Sequence, residues 1–534
     1  MNQKLLAMLL AAPFAAATML MTVDHASAQD APKRGGILRF ATSDEPTSYD
    51  CQASSTNDVI HALAPLYSGL IKFDPARYPE IAPDLAEKWE VSADGLTYTF
   101  HLRKNVLFHD GTPFRAEDAK VTFDRIRNPP KGVLSVRQAR YGAISSIETP
   151  DDSTIVFKLS KPDSTMLTTL ALPWNCMLSA KKLKEDPSYP EKQVMGTGAF
   201  KFVEHVPGAR FRAARFENYY DKTRPFLDGY EISFMSTSAV VNAIKGRQLD
   251  GFFVGVNPPE AKDLEQTMGN AVQVVTGPLL CKLDLFFNTK VAPFDDERVR
   301  RALNMAIDRW GGGPALSRIS RMDLPGGVVA PGGKLATPDA ELAKLPGFSR
   351  NMNQAREQAR KLLQDAGVTN LKFQVTTRAV ESLVPISIFL ADQWRRIGVT
   401  AEPLPLPAAQ QRASYRSGKY QVAYDSNCVE ADEPNFSLLN YVSADISPLN
   451  FAQYNDRLLD ELYEKQKAAG SDAERIKLIR AFETHLAEKS YAVPLFWWRR
   501  LVPLNAAVRG WTMLPSPHLN QDLTDVWLDK SRGY

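Results

Sequence analysis

The chain has 534 residues, 44% of them hydrophobic and 23% charged. That is the composition of a large globular protein, and at this length of several lobes rather than one core. Lys and Arg number 64 against 61 Asp and Glu, a formal net charge of +3. So even a balance excludes the concentrated basic face that nucleic acid or an anionic membrane surface requires.

Lys4 leads into Leu5 to Val23, a stretch without charge, and then into Asp24, His25 and the small residues Ala26-Ser27-Ala28. A basic start, an apolar middle and an A-x-A end predict a secretory signal over residues 1–28, cleaved after Ala28. The competing reading is a membrane anchor, since Leu5 to Val23 is nearly long enough to span. The Ala-rich middle and the A-x-A end favour cleavage. No Cys stands at the cleavage point and no later segment is apolar enough to span, so the mature protein is expected free in the periplasm. Cys51, Cys176, Cys281 and Cys428 form no C-x-x-C pair. In an oxidising compartment four cysteines permit two bridges, with three connectivities open; four buried thiols are the alternative.

Gly35-Gly36 precedes Ile37 to Ala41, a short β-type run. Around Ala93-Asp94-Gly95, the runs Trp89 to Ser92 and Thr97 to Leu102 read as a hairpin. Ser145 to Leu159 repeats the pattern, with Pro150-Asp151-Asp152 at the turn. Asp295-Asp296-Glu297 opens a helix with Val299, Leu303, Ala306 and Ile307 on one face, acidic residues at its start suiting the macrodipole. Ala355, Ala359, Leu362 and Leu363 form a second helical stripe, stopped by Gly367. Leu371 to Val375 reads as a strand, Leu383 to Ile397 as a helix and Val399 to Glu402 as a strand. Ile476, Ile479, Phe482 and Leu486 mark a late helix. Stripes at this spacing are core faces, and the alternation predicts an α/β fold.

Catalytic patterns are absent. Gly332-Gly333-Lys334 lacks the earlier glycine and the hydroxyl residue of a phosphate loop, and Gly311-Gly312-Gly313 runs into Pro314. There is no H-E-x-x-H and no G-x-S-x-G. His109-Asp110 before Gly111 reads as a surface turn rather than acid–base chemistry. No catalytic residue, metal ligand or cofactor is expected; a periplasmic hydrolase with dispersed acids is the enzyme alternative.

Residues 83 to 114, from Pro83-Asp84-Leu85-Ala86-Glu87-Lys88-Trp89 through Ser92-Ala93-Asp94-Gly95 to His109-Asp110-Gly111-Thr112-Pro113-Phe114, closely resemble the signature of the family-5 extracellular solute-binding proteins. These are receptors of dipeptide, oligopeptide, nickel and related ABC importers. Gly35-Gly36-Ile37-Leu38-Arg39, Gly196-Thr197-Gly198-Ala199-Phe200 and Pro293-Phe294-Asp295-Asp296-Glu297-Arg298-Val299 are similar to further family segments, in the family's order. The resemblance implies a two-lobed, three-domain periplasmic binding protein of the class II, cluster C type with hinge closure. Domain I would be discontinuous, 29–75, 197–287 and 505–534, with domain II at 76–196 and domain III at 288–504. It implies a monomer that captures a small solute, a peptide being the expected one, and delivers it to a membrane ABC permease, with no nucleic-acid partner.

A buried zwitterion needs a carboxylate and a cation. The segment Asn427 to Phe436 resembles the family stretch whose acid takes a peptide amino group; Glu430 falls at that place, with Asp432 or Glu433 as alternatives and a solvated loop acid as the bland reading. Arg378 resembles the arginine that meets the ligand carboxylate in dipeptide receptors, or is a surface arginine at a strand end. Ser54-Ser55-Thr56 resembles a loop offering backbone groups to ligand. Cys281 and Cys428 match positions bridged in the oligopeptide branch, which leaves Cys51 and Cys176 as the second possible pair. Trp174 reads as core rather than a stacking platform. Asn427 stands where many members place a ligand-stacking Trp, and Arg309-Trp310-Gly311-Gly312-Gly313-Pro314 replaces the usual run. These departures leave open an opine, a modified amino acid, a metal chelate or a short glycoside as ligand, and a chaperone as a further function.

Overall fold

A computed structural model describes residues 31–379 and 383–532; the expected leader, residues 1–28, lies outside the described residues. The first sheet runs in the order Ile37–Thr42, Gly229–Phe234, Arg210–Arg215, Phe200–Val206. Ile37–Thr42 lies parallel to Gly229–Phe234, and the rest is antiparallel. Alternate residues Leu38 and Phe40, Phe211 and Ala213, Tyr230 and Ile232 are buried, as the two-residue period of a strand dictates.

The second sheet is an antiparallel meander with one strand out of order: Ala86–Val91, Thr97–Leu102, Thr154–Leu159, Ile144–Asp151. Its first hairpin turns at Asp94-Gly95, where the Asp94 carboxylate accepts from the Leu96 N–H at 3.0 Å and Gly95 takes φ +68°. Helix Ala116–Arg127 covers one face, with Phe123 set edge-on to Phe157.

The third sheet has six strands in the order Met322–Leu324, Ala492–Asn505, Val272–Phe287, Val422–Cys428, Lys372–Arg378, Thr400–Leu406. The predicted helices appear around it as Glu297–Met305, Met352–Asp365, Val384–Arg395 and Asp472–Lys489. Asp296 caps the first, its carboxylate accepting from the Arg298 N–H at 2.8 Å. Trp394, fully buried, donates its indole N–H to the Leu303 carbonyl at 2.9 Å and packs against Phe373.

Two strands of this sheet are unusually long. Val272–Phe287 and Ala492–Asn505 pair from Val272 opposite Asn505 to Phe286 opposite Ala492, with register shifts between Leu279 and Asp284. Their Phe286 end packs with the third sheet's helices; Val272 at the other end packs with Ala41, Val240 and Leu264 beside the first sheet. Gly251 stitches the junction, bridging Phe40 on one side and Leu504 on the other. A Cβ there would lie 2.6 Å from the Leu504 side chain, so the close approach calls for glycine.

Both disulfides form as Cys51–Cys176 and Cys281–Cys428. His109, expected at a surface turn, is instead buried. Its Nε2 lies 3.1 Å from the Gly198 carbonyl oxygen, and its backbone N–H donates to the Gly196 carbonyl at 2.9 Å. The motif Gly196-Thr197-Gly198 crosses the backbone of Pro65 to Tyr67 so tightly that a Cβ on Gly198 would lie 2.5 Å from the Pro65 carbonyl oxygen and the Tyr67 nitrogen. Backbone cannot swing aside as a side chain can. Gly198→Ala is therefore expected to lower the chemical-denaturation stability by about 2–3 kcal/mol or more. The control Gly470→Ala, where a Cβ meets nothing within 4 Å, is expected to stay within about 0.5 kcal/mol of the parent.

Candidate functional site

The strand Val422–Cys428 ends at the Cys281–Cys428 bridge, and the next residue, Val429, donates its N–H to the Leu280 carbonyl at 2.8 Å. The following loop thus leaves the sheet in a fixed direction. It buries Glu430 against two arginines from a distant part of the chain. Arg140 Nη2 donates to one carboxylate oxygen at 2.7 Å, and Arg137 Nη2 lies 3.4 Å from the other.

Both arginines belong to a single 3-10 turn, Gln138–Tyr141 with Arg137 at its cap, beyond helix Ala116–Arg127. The turn rests on the chain's opening segment. Buried Arg125 pairs with Asp50 at 2.5 Å, and the Val136 N–H donates to the Gln52 carbonyl at 3.2 Å. Arg137 is then held on two further sides. Its Nη1 donates to the Ser54 carbonyl at 2.7 Å, and its guanidinium carbon sits 4.0 Å from the centre of the Trp174 ring. The Cys51–Cys176 bridge joins the Ser54 loop to the Trp174 segment, so the carbonyl and the ring that grip Arg137 are covalently linked. Arg140 lies 4.3 Å over the Phe436 ring, and His518 packs edge-on against Trp174.

The residues singled out in the sequence fall in different places. Glu430 stands at the centre of this cluster. Ser54 contributes its backbone carbonyl to Arg137, while Ser55 is exposed. Trp174 is buried in the core, and its face also carries Arg137. Arg378 pairs with Asp425 at 2.9 Å and donates to the Ser426 hydroxyl at 2.6 Å within its own sheet. Asn427 donates to Asp284 at 3.0 Å. Asp432 donates its backbone N–H to the Tyr78 hydroxyl at 2.7 Å and lines a small cavity with Leu280, Val329, Ala330 and Trp497. The sequence reading missed Arg137, Arg140 and His518. The spacing Arg137-Gln138-Ala139-Arg140, with no acid nearby in sequence, was the only local signal for the first two; nothing local marks the third.

The sequence profile of the bacterial extracellular solute-binding proteins, family 5 Middle, matches residues 80–448. The chain belongs to that family. Heme-binding protein A of Haemophilus influenzae is 28% identical to this family-5 chain over 480 residues, 84% of the chain and 85% of that relative. The dipeptide-binding protein of Escherichia coli is 24% identical over 90% of the chain and 92% of its own length. Among solved structures, the PBP AgaA from A. tumefacien R10, in complex with agropinic acid, superposes with a TM-score of 0.77 at 27% identity, covering 92% of the chain and 99% of AgaA. The periplasmic binding protein DppA of Helicobacter pylori, in complex with the peptide STSA, superposes at 0.79 and 23% identity, over 93% of this chain and 99% of that one. The two-lobed α/β architecture expected from the sequence is the architecture of these neighbours.

The three acids of the family-5 protein's loop sit in three electrostatic settings. Burial alone would raise Glu430, but Arg140 and then Arg137 hold its carboxyl down at about 2. Glu433 is raised by burial against the opposing pull of Arg475, with which it pairs. Asp432 meets no cation among the described residues: burial, and then the neighbouring Glu433, push it up to about 6 from an ordinary 3.8. His518 is pushed down to about 4 by burial, so it is neutral at pH 7. An acid whose pKa is raised by folding favours the folded state below its unfolded value, and that contribution is lost as pH rises through about 6. Asp432→Asn is therefore expected to stabilise the ligand-free protein at pH 7.5 by on the order of 1–3 kcal/mol. The gain should vanish near pH 4, as read from denaturation midpoints across that range.

Proposed function

We propose that this family-5 protein is the solute-capturing subunit of an ABC importer. It would close on small amino-acid-derived solutes, peptides among them, and hand them to a membrane permease without chemical turnover. The observation that carries this reading is the Glu430 contact with Arg137 and Arg140. The carboxylate and the guanidiniums come from different sheet assemblies, and two continuous strands, Val272–Phe287 and Ala492–Asn505, connect the third sheet to the first. Bending those strands would open and close such a contact, the geometry of a hinge.

The domain boundaries expected from the family resemblance, 29–75 with 197–287 and 505–534, 76–196, and 288–504, are part of this reading; the two four-stranded sheets fall within domains I and II as drawn, while Val272–Phe287, drawn in domain I, pairs into the six-stranded sheet with strands of domain III. So are export with cleavage after Ala28, residence in the periplasm, and action as a monomer. No helix among the described residues is long and apolar enough to cross a membrane. A peptide ligand draws support from the relative named for dipeptide binding, and a non-peptide one from the neighbour crystallised with agropinic acid.

At the site we assign the ligand's amine to Asp432, because both oxygens of Glu430 meet arginines and Glu433 meets Arg475. Ser54 acts through Arg137, and Arg378 and Asn427 act by bracing the strand that leads into the loop. Protein purified from the periplasm without denaturation is expected to carry its solute, which native mass spectrometry would detect as a discrete mass increment lost on partial unfolding. Recovering that solute intact after long incubation with the protein is the expected result. Conversion of it to products, or a protein that arrives empty and ignores a broad ligand library, would end this reading.

A further inference from the structure

Around Glu430 the hydrogen bonds do not close. Nε and Nη2 of Arg137 and Nη1 of Arg140 are buried yet meet no hydrogen-bond acceptor among the described residues, and neither does the indole N–H of Trp174 beside them. Arg137 as a residue is only 5% exposed. Its Nη2 makes the 3.4 Å ion-pair approach to Glu430 without an aligned hydrogen bond. Buried donors in folded proteins are nearly always matched, and an unmatched guanidinium nitrogen is the costliest kind to leave.

The charges do not close either. Arg137 and Arg140 bring two positive charges and Glu430 one negative. His518, edge-on to Trp174, is neutral at pH 7, and nearby Arg500 adds another buried cation whose Nε meets no acceptor among the described residues. Of the two other loop acids, Glu433 is committed to Arg475, and Asp432 lines the separate small cavity with Leu280 and Trp497. Water could satisfy the N–H groups but not the charge. An ammonium would add to the positive excess; a carboxylate would bring one negative charge and acceptors for two or more of the idle N–H groups.

The arginines are also set before any ligand arrives. Arg137 is clamped between the Ser54 carbonyl and the Trp174 face, and Arg140 lies on Phe436. Little side-chain freedom is left to lose on binding. We infer that Arg137 and Arg140 form an anion-recognition site, with Glu430 as its built-in counter-ion, and that the captured solute docks a carboxylate there. This rests on the receptor reading and narrows it: the solute class is one bearing a carboxylate in addition to any amine, and Glu430 faces the protein's own cations rather than a ligand's.

The two assignments for Glu430 predict opposite signs. The test uses the exported protein, N-acetyl-Ala-Phe, its C-terminal amide and citrate as probes, with free Ala-Phe-amide as the amine-only control. Thermal shift and tryptophan fluorescence read binding, Trp174 being the reporter beneath Arg137. The two carboxylate probes are expected to bind, and the acetylated amide at least about tenfold more weakly than its acid. Glu430→Gln removes the counter-ion and is expected to tighten the carboxylate probes by about tenfold. Arg140→Gln, at a half-buried position, is expected to weaken them by a similar factor, and it keeps the question decidable should Glu430→Gln fail to fold. If amide and acid bind alike, or if Glu430→Gln abolishes binding of the acetylated acid, the anion site is overturned. Binding of Ala-Phe-amide but of neither carboxylate overturns the anion site and leaves the receptor standing. Binding of no probe by a protein that also purifies empty overturns both.

Discussion

The site depends on one carboxylate buried against two guanidiniums that arrive from some 290 residues earlier in the chain. Such a cluster is a poor source of net stability, because removing three charges from water offsets most of what their attraction returns. What it supplies is position. Glu430 is directed by a disulfide and a backbone hydrogen bond on its own side, and Arg137 by a carbonyl, an aromatic face and a second disulfide on the other. Each partner is held by its own surroundings, so the contact can part without either side losing its shape. That is the property a reversible closure requires.

The strands that connect the third sheet to the first carry a second buried charge. Lys282 lies in the irregular stretch of Val272–Phe287, fully buried, with its ammonium donating to the Val328 carbonyl at 2.9 Å and lying 4.8 Å from the Trp497 ring. Burial pulls its pKa down while Asp284 and Glu483 pull it back. Next to it, Asp284 accepts from the Tyr441 hydroxyl at 2.6 Å and from Asn427 at 3.0 Å. The register shifts coincide with this polar network and with Cys281. The irregularity is confined to the Ala492–Asn505 side; on the other edge the stretch keeps unbroken register with Val422–Cys428, so side chains supplement the ladder only where it is irregular.

Local pattern carried the secondary structure well. Asp94-Gly95 named its hairpin because the turn needs a positive φ and a short acceptor, and the stripes of Glu297–Met305 and Asp472–Lys489 named their buried faces. His109 misled, since a His-Asp-Gly run has turn chemistry whether or not the turn is covered, and the segment that covers it, Gly196 to Gly198, lies nearly 90 residues away. The site was half legible. Resemblance drew attention to Glu430 and the Ser54 loop, yet no sequence pattern announces that Arg137 and Arg140 reach Glu430, because charge pairing across 290 residues has no period. Arg378 illustrates the converse: its residue type suits a ligand carboxylate, and Asp425, on the neighbouring strand, is the carboxylate it meets.

Three acids within four positions, Glu430, Asp432 and Glu433, would be interchangeable on composition. The fold separates them by the number of cations each can reach: two, none and one. An acid already facing two arginines has little to offer an ammonium, since the newcomer would be repelled by the same guanidiniums that hold the carboxylate. An acid with no cation, raised by burial to about 6, gains most from one, because the arriving charge removes the penalty that raised it. The division of labour we propose follows from that asymmetry. Under that proposal, positive charge in excess lies at Arg137 and Arg140, Asp432 meets no cation among the described residues, and a solute bearing both a carboxylate and an amine would complete both sets.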